Sequence, residues 1–282
     1  MPYTVSMKNQ YWTWILFAVL SLQLPALGFQ HKSEAFLGFD RNDYPGDANL
    51  PALRKSFAFT GYWLGNPPGE SSNSWHGKRA TVERAGFGFL LLFNGRDYSE
   101  LKSARNPGPA DGAAAVRSAL AEGFPRDSVI FLDQEQGGRM LPEQKRYVFA
   151  WADAVRRRGF RPGIYCSGIE VAESDGGRIS TASDLHESPQ GRQLVFWVAN
   201  DACPPSPGCS FPRNPPPPQA SGAPFAEVWQ FAQSPVRPQF AAACRKSYNP
   251  DGNCYPPEAP ASLKLHLDVS SALSSDPSHA RR

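Results

Sequence analysis

Eight short apolar runs separated by stretches of helical character recur along this chain, and that alternation constrains its fold more than any other feature. The runs are Phe36 to Asp40, Phe57 to Trp63, Phe87 to Asn94, Val129 to Glu135, Pro162 to Ser167, Leu194 to Asn200, Ala226 to Phe231 and Leu263 to Asp268. Near-continuous apolar strands alternating with helices are the pattern of parallel strands joined by crossover helices. Eight such units in about 250 residues match the count and size of an α/β fold of the (β/α)8, TIM-barrel type. An open, doubly wound sheet is the alternative, but its glycine-rich phosphate turn is missing, because Leu91 stands where the third glycine after Gly86 and Gly88 belongs.

The helix signals fit the same frame. From Pro142 to Arg158, the residues Tyr147, Val148, Trp151, Ala154 and Val155 share one face, with Pro142 suited to the first turn and Gly159 to the stop. A second helix is expected over Ala113 to Glu122, and weaker ones over Asn49 to Ser56, with Asn49 as N-cap, and over Lys78 to Ala85. After the sixth and seventh strands the helical pattern gives way to proline-rich segments, residues 203–224 and 232–262. Loops that follow barrel strands lie at the C-terminal face, so both segments are expected on the rim of a groove.

Residues 1–28 read as a signal peptide: Lys8 supplies the positive charge, Trp12 to Leu22 the apolar run, and Ala26-Leu27-Gly28 the small residues for cleavage. The apolar run is shorter than the roughly 20 residues that span a bilayer. Residues 29–282 are then a single exported domain, secreted or periplasmic, with no membrane association after cleavage. Five cysteines suit that compartment, and their spacing predicts two local bridges, Cys203 with Cys209 and Cys244 with Cys254. Cys166, inside an apolar run, is expected to be a buried free thiol. A net charge of +3, from 29 Lys and Arg against 26 Asp and Glu, is too small for a nucleic-acid footprint. No zinc pattern, phosphate loop or serine-hydrolase elbow occurs, and His266 beside Asp268 does not make a metal shell, so neither metal nor cofactor is expected.

The chemical signal is four carboxylates at strand ends: Asp40 on the first, Asp133 and Glu135 on the fourth, Asp268 on the eighth. Alternate residues on a strand face the same side, which points Asp133 and Glu135 together into the barrel mouth, about 6.6 Å apart along the strand. The first and eighth strands are neighbours on closure, so Asp40 and Asp268 join them. Crowded carboxyls raise one another's pKa and keep one protonated, and glycoside hydrolysis needs one protonated and one ionised carboxyl. Tyr62, Trp63, Trp75 and His76 lie in or beside the loop after the second strand, where aromatic faces can stack on sugar rings.

The pieces Gly38-Phe39-Asp40, Leu132-Asp133-Gln134-Glu135, Gly163-Ile164-Tyr165-Cys166-Ser167, Phe196-Trp197-Val198-Ala199, Val228-Trp229-Gln230-Phe231 and Leu267-Asp268-Val269-Ser270 occur in order. Together they resemble the strand motifs of family 25 glycoside hydrolases, the barrel lysozymes of peptidoglycan. They are more similar still to the related glycoside-hydrolase-like domain of exported bacterial proteins. The resemblance implies Glu135 as proton donor, Asp133 as its partner, which orients the substrate acetamido group or tunes Glu135, and Asp40 and Asp268 as supporting carboxylates. It also implies a sugar site lined by Trp229, Gln230 and Trp197, to which Tyr165 of the fifth-strand motif is added. The chain departs from the lysozymes at Arg41-Asn42 and at Gly61-Tyr62-Trp63, where their acidic position is missing. The expected function is that of a monomeric glycoside hydrolase acting on cell-wall polysaccharide. The alternative is a non-catalytic glycan-binding protein on the same barrel.

Overall fold

The computed structural model describes residues 1–4, 35–103, 105–256 and 265–281. The chain divides into Met1–Lys32 and Ser33–Arg282, and the second unit holds all the elements below. The signal-peptide features, from Lys8 to Gly28, lie outside the described residues, as do Leu263 and Lys264 of the eighth expected strand.

Eight strands close into a barrel in the spatial order β1, β10, β9, β8, β5, β4, β3, β2. They are β1 (Phe36–Asp40), β2 (Phe59–Trp63), β3 (Gly88–Asn94), β4 (Val129–Gln134), β5 (Arg161–Ser167), β8 (Val195–Ala199), β9 (Val228–Ala232) and β10 (Asp268–Ala272). A two-residue hairpin, β6 (Val171–Ala172) with β7 (Arg178–Ile179), stands apart. The helices are α1 (Leu50–Leu53), α2 (Arg79–Arg84), α3 (Tyr98–Ser103), α4 (Gly108–Ala121), α5 (Pro142–Arg156), α6 (Thr181–His186) and α7 (Pro238–Cys244). The architecture is a (β/α)8-type barrel with irregular, proline-rich connections after its sixth and seventh strands.

One strand departs from the all-parallel expectation. β10 runs antiparallel to both β9 and β1, and it begins at Asp268 where the sequence reading ends it. A parallel strand needs a crossover that carries the chain back to the far end of the barrel. The described part of this connection stays at the mouth, where the Ser234 backbone N–H donates to Asp268 Oδ1 at 2.7 Å and Cys254 N–H to Ser234 Oγ at 2.9 Å. The chain therefore re-enters from the top and runs downward. Its end then closes the bottom, with Ser278 N–H donating to the Phe89 carbonyl and Val129 N–H to the Ser278 carbonyl.

Where helices are present, their sequence explains them. α5 buries Tyr147, Val148, Trp151, Ala154 and Val155, the face read from periodicity. Its first turn is closed by Gln144, whose side-chain oxygen accepts from Leu141 N–H at 2.8 Å. α4 starts five residues before the expected position because Gly108 and Gly112 carry no apolar signal. They serve contact: a Cβ on Gly112 would lie 2.6 Å from the Trp151 carbonyl oxygen, so only glycine lets α4 and α5 approach this closely.

The disulfides correct the local pairing expected from spacing. Cys203 bonds Cys244 and Cys209 bonds Cys254, joining the two proline-rich segments to each other across 41 and 45 residues. The bridges fasten two segments that pack side by side, a relation that closeness along the chain does not reveal. Cys166 is free and buried, and burial pushes its thiol pKa up. The first of these segments also departs from the rim expectation. It descends the outside of the barrel, where Phe211 packs edge-on against Phe57 at 5.7 Å and the Asn200 side chain donates to the Ser221 carbonyl at 2.7 Å. Its start stays beside the second segment, to which Cys203 and Cys209 are bonded, and residues 257–262 of the second lie outside the described residues. Among the described residues no helix is long and apolar enough to cross a membrane.

Candidate active site

The strand registers carry the lumen-facing side chains into one ring at the mouth. Asp40 pairs with Asp268, Asn94 with Asp133, and Asp133 with Tyr165 across neighbouring strands. Asp40 and Asp133 are 8% and 6% exposed, Asp268 is half-buried, and Glu135, one residue past β4, is open to solvent. Gly61 makes room for this group, since a Cβ there would come within 2.6 Å of Asp40 Cβ. A cleft of about 200 Å³ opens beside Asp133 and Glu135, walled by Asn94 at the end of β3, by residues 95–97 after it and by Pro68 and Gly69 after β2.

A hydrogen-bonded chain fixes the floor. Tyr165 donates its hydroxyl to Gln230 Oε1 at 2.7 Å, and Gln233 Nε2 donates to the same oxygen at 3.1 Å and to Tyr165 Oη at 3.2 Å. With its oxygen thus occupied, Gln230 turns its Nε2 to Asp40, 3.2 and 3.4 Å from the two carboxylate oxygens. Beneath, Trp197 stacks edge-on against Tyr165 at 4.7 Å and donates to Ser270 Oγ at 3.2 Å.

The electrostatics show that the four carboxyls form one cluster. Burial holds Asp40 well above the usual carboxylate range, and Asp268, Asp133 and Glu135 push it further, against the Gln230 hydrogen bond. Asp133 is likewise held well above that range, by burial first and by Glu135 second. Asp268 is raised to about 7 by burial, opposed by the Ser234 N–H and assisted by Glu135. Loss of hydration raises Glu135 despite its open tip, and Asp97 adds to the shift. Among the described residues no cation relieves the group: Arg237 on the rim pairs instead with the buried Asp201, Nε to Oδ2 at 2.8 Å. Among the described residues no set of three or more His, Cys, Asp or Glu is arranged to hold a metal ion. Asp133 Oδ1 is buried and has no hydrogen-bond partner.

The remaining predicted residues divide by strand face. Trp63 and Trp197 share the inward face, and Trp63 Nε1 donates to the Arg41 carbonyl at 3.1 Å. Tyr62 faces outward, packed on Phe89 and Phe124 with its hydroxyl donating to Glu122 at 2.6 Å. Trp229 faces outward too, fully buried, its Nε1 donating to the Asn200 carbonyl at 2.8 Å. Trp75 is buried between Tyr44 and Tyr62 and bonds the Asn42 carbonyl at 2.9 Å, so it locks the loops after β1 and β2 together. His76 and His266 are exposed. Sequence reasoning missed Gln233, Ser234 and Asp97, which lie in irregular chain where no periodicity marks an inward face.

Comparison with known proteins adds the family. The model of the Rv2525c-like, glycoside hydrolase-like domain matches residues 56–203, and that description supports a glycan-related function. No curated protein matches the chain. Among solved structures, an uncharacterized protein of B. stearothermophilus aligns with a TM-score of 0.55 at 18% identity, covering 84% of this chain and 95% of its own. The Tat-secreted protein Rv2525c of Mycobacterium tuberculosis, in complex with L-tartrate, aligns with a TM-score of 0.51 at 11% identity, covering 86% of this chain and 96% of its own. At these identities the two structures speak for the barrel fold alone. With its family model spanning just over half the sequence, the chain belongs to the Rv2525c-like, glycoside hydrolase-like family.

Proposed function

We propose that this protein is an exported glycosidase that cleaves amino-sugar glycan of the bacterial cell wall, peptidoglycan foremost, with Glu135 as general acid. The observation that carries the reading is the convergence of four carboxyls on one mouth with no neutralising cation among the described residues, Glu135 being the exposed one of the two that line the cleft. Its raised pKa keeps Glu135 protonated closer to neutrality than an ordinary glutamate, ready to protonate the leaving glycosidic oxygen. Asp133 serves as base or as acceptor for the substrate acetamido N–H, because its Oδ1 has no partner in the protein and an unpaired buried acceptor costs about 1–3 kcal/mol. Asp40 and Asp268 support the pair through their shared field, and Trp63, Trp197, Tyr165 and Gln230 line the inward wall.

Two disulfides fit an oxidising compartment, and residues 1–28 have the pattern of a cleaved signal, so the protein works outside the cytoplasm. It acts as a monomer, without cofactor or nucleic acid.

One observation favours a non-catalytic glycan-binding protein instead. Asp40 and Asp133 are both held well above the usual range, which works against the ionised carboxylate that hydrolysis requires. Muropeptide release from purified peptidoglycan, read by mass spectrometry with new reducing ends identified, separates the two. Cleavage by the wild type that Asp133→Asn and Glu135→Gln both lose supports the enzyme. No cleavage, with all three proteins pulled down by the wall, supports the binding module.

A further inference from the structure

We propose that the glycan site continues past Glu135 into a second groove, which binds a further sugar ring of the same chain with Tyr98 as its stacking platform. The inference rests on the glycan reading above and adds to it a polymeric substrate and the residue that senses its length.

The groove, of about 450 Å³, lies between the start of α3 and the loop that follows β4. It adjoins the cleft at two points along the backbone: Asp97 and Glu135 line the cleft, and their successors Tyr98 and Gln136 line the groove. A linear chain lying across Glu135 therefore passes from one into the other.

The lining suits a pyranose. Tyr98 is half-buried, and among the described residues its ring packs on no other aromatic ring and its hydroxyl has no protein partner. Opposite stand the paired amides of Gln136 and Gln144 and the exposed side chain of Leu141. An unstacked aromatic face, an apolar edge and amide groups match the C–H face and hydroxyls of a sugar. The floor is preformed as well. Thr181 Oγ1 donates to the Gln136 and Gly138 carbonyls at 3.0 and 2.8 Å. Arg139 clamps the same loop to Glu173, at 2.5 and 2.8 Å, and to Asp184 at 3.1 Å. A floor already held in place loses little freedom when a ligand arrives.

The test is calorimetric titration of the Glu135→Gln protein, which binds without turnover, with peptide-free peptidoglycan strands of two and of six sugars. The six-sugar strand is expected to bind about tenfold more tightly, Tyr98→Ala to abolish that difference, and Tyr98→Phe to keep it. Equal affinity for both lengths, or a difference that survives Tyr98→Ala, overturns the second groove and leaves the glycan reading standing. Binding of neither length overturns both.

Discussion

Strands β2 to β5 are backed by helices whose apolar faces pack on the barrel, whereas β8, β9, β10 and β1 are backed largely by proline-rich chain held by two disulfides. The first half buries Trp151, Tyr147 and Val155 from a single helix. The second buries Trp229 and Phe231 beneath segments with little regular structure, from which the half-buried Phe211 packs against the core. A helix satisfies its own backbone groups and can cover a strand unaided. Irregular chain must find partners one at a time, as Asn200 does with Ser221 and Ser234 with Leu267, and covalent staples offset its entropy. The mouth needs both halves: Asp133 and Glu135 come from the helical side, Asp40, Asp268 and Gln230 from the stapled side. The family match, residues 56–203, covers the helical side.

The comparison can be broken from either side. Trp151→Ala removes the largest anchor of the helical half and should lower stability by about 3–5 kcal/mol in urea unfolding. Replacing Cys203 and Cys244 by serine should cost about 2–4 kcal/mol, and a reductant acting on the wild type, which opens both bridges, should cost at least as much. Insensitivity to reductant would mean that the stapled half holds itself. At the seam, Gly61→Ala should cost about 1–3 kcal/mol by driving a methyl into Asp40, and it should depress glycan turnover more than stability. Gln233→Ala, which frees Gln230 to turn over, should cost only about 1 kcal/mol while shifting the pH profile of activity.

A slope with pH sharpens the same picture. The native pKa of Asp268, about 7, lies above the ordinary value of 3.8, so the folded state keeps a proton that the unfolded chain releases. Its contribution therefore disfavours folding progressively as pH rises from about 4 to about 7 and is constant above that. Asp40 and Asp133 act in the same direction. Melting temperature should fall across this window, and Asp268→Asn should flatten the fall.

The sequence makes the helical half legible because its elements repeat: apolar period and flanking glycines locate β2 to β5 and α5 to within a few residues. Direction is another matter. An apolar run carries no sense of direction, and the run expected as the last strand, Leu263 to Asp268, shares only Asp268 with β10, so Asp268 reaches the mouth as a first residue and not a last one. Disulfide partners depend on how distant segments fold together, which spacing does not encode. The aromatic candidates carried a usable signal. Neighbours on a strand face opposite sides, so Trp229 cannot line the lumen beside Gln230, nor Tyr62 beside Trp63. Gln233 and Ser234 had no such signal, because they follow the end of β9.

In the proposed function, Glu135 protonates a glycosidic bond at this mouth. The most direct test is the rate at which purified, peptide-free peptidoglycan strands gain reducing ends with wild-type protein and with Glu135→Gln at equal concentration. Turnover by the wild type is expected, with a loss of about 10²-fold or more in the variant, the contribution of a general acid. Equal rates in the two proteins would contradict it.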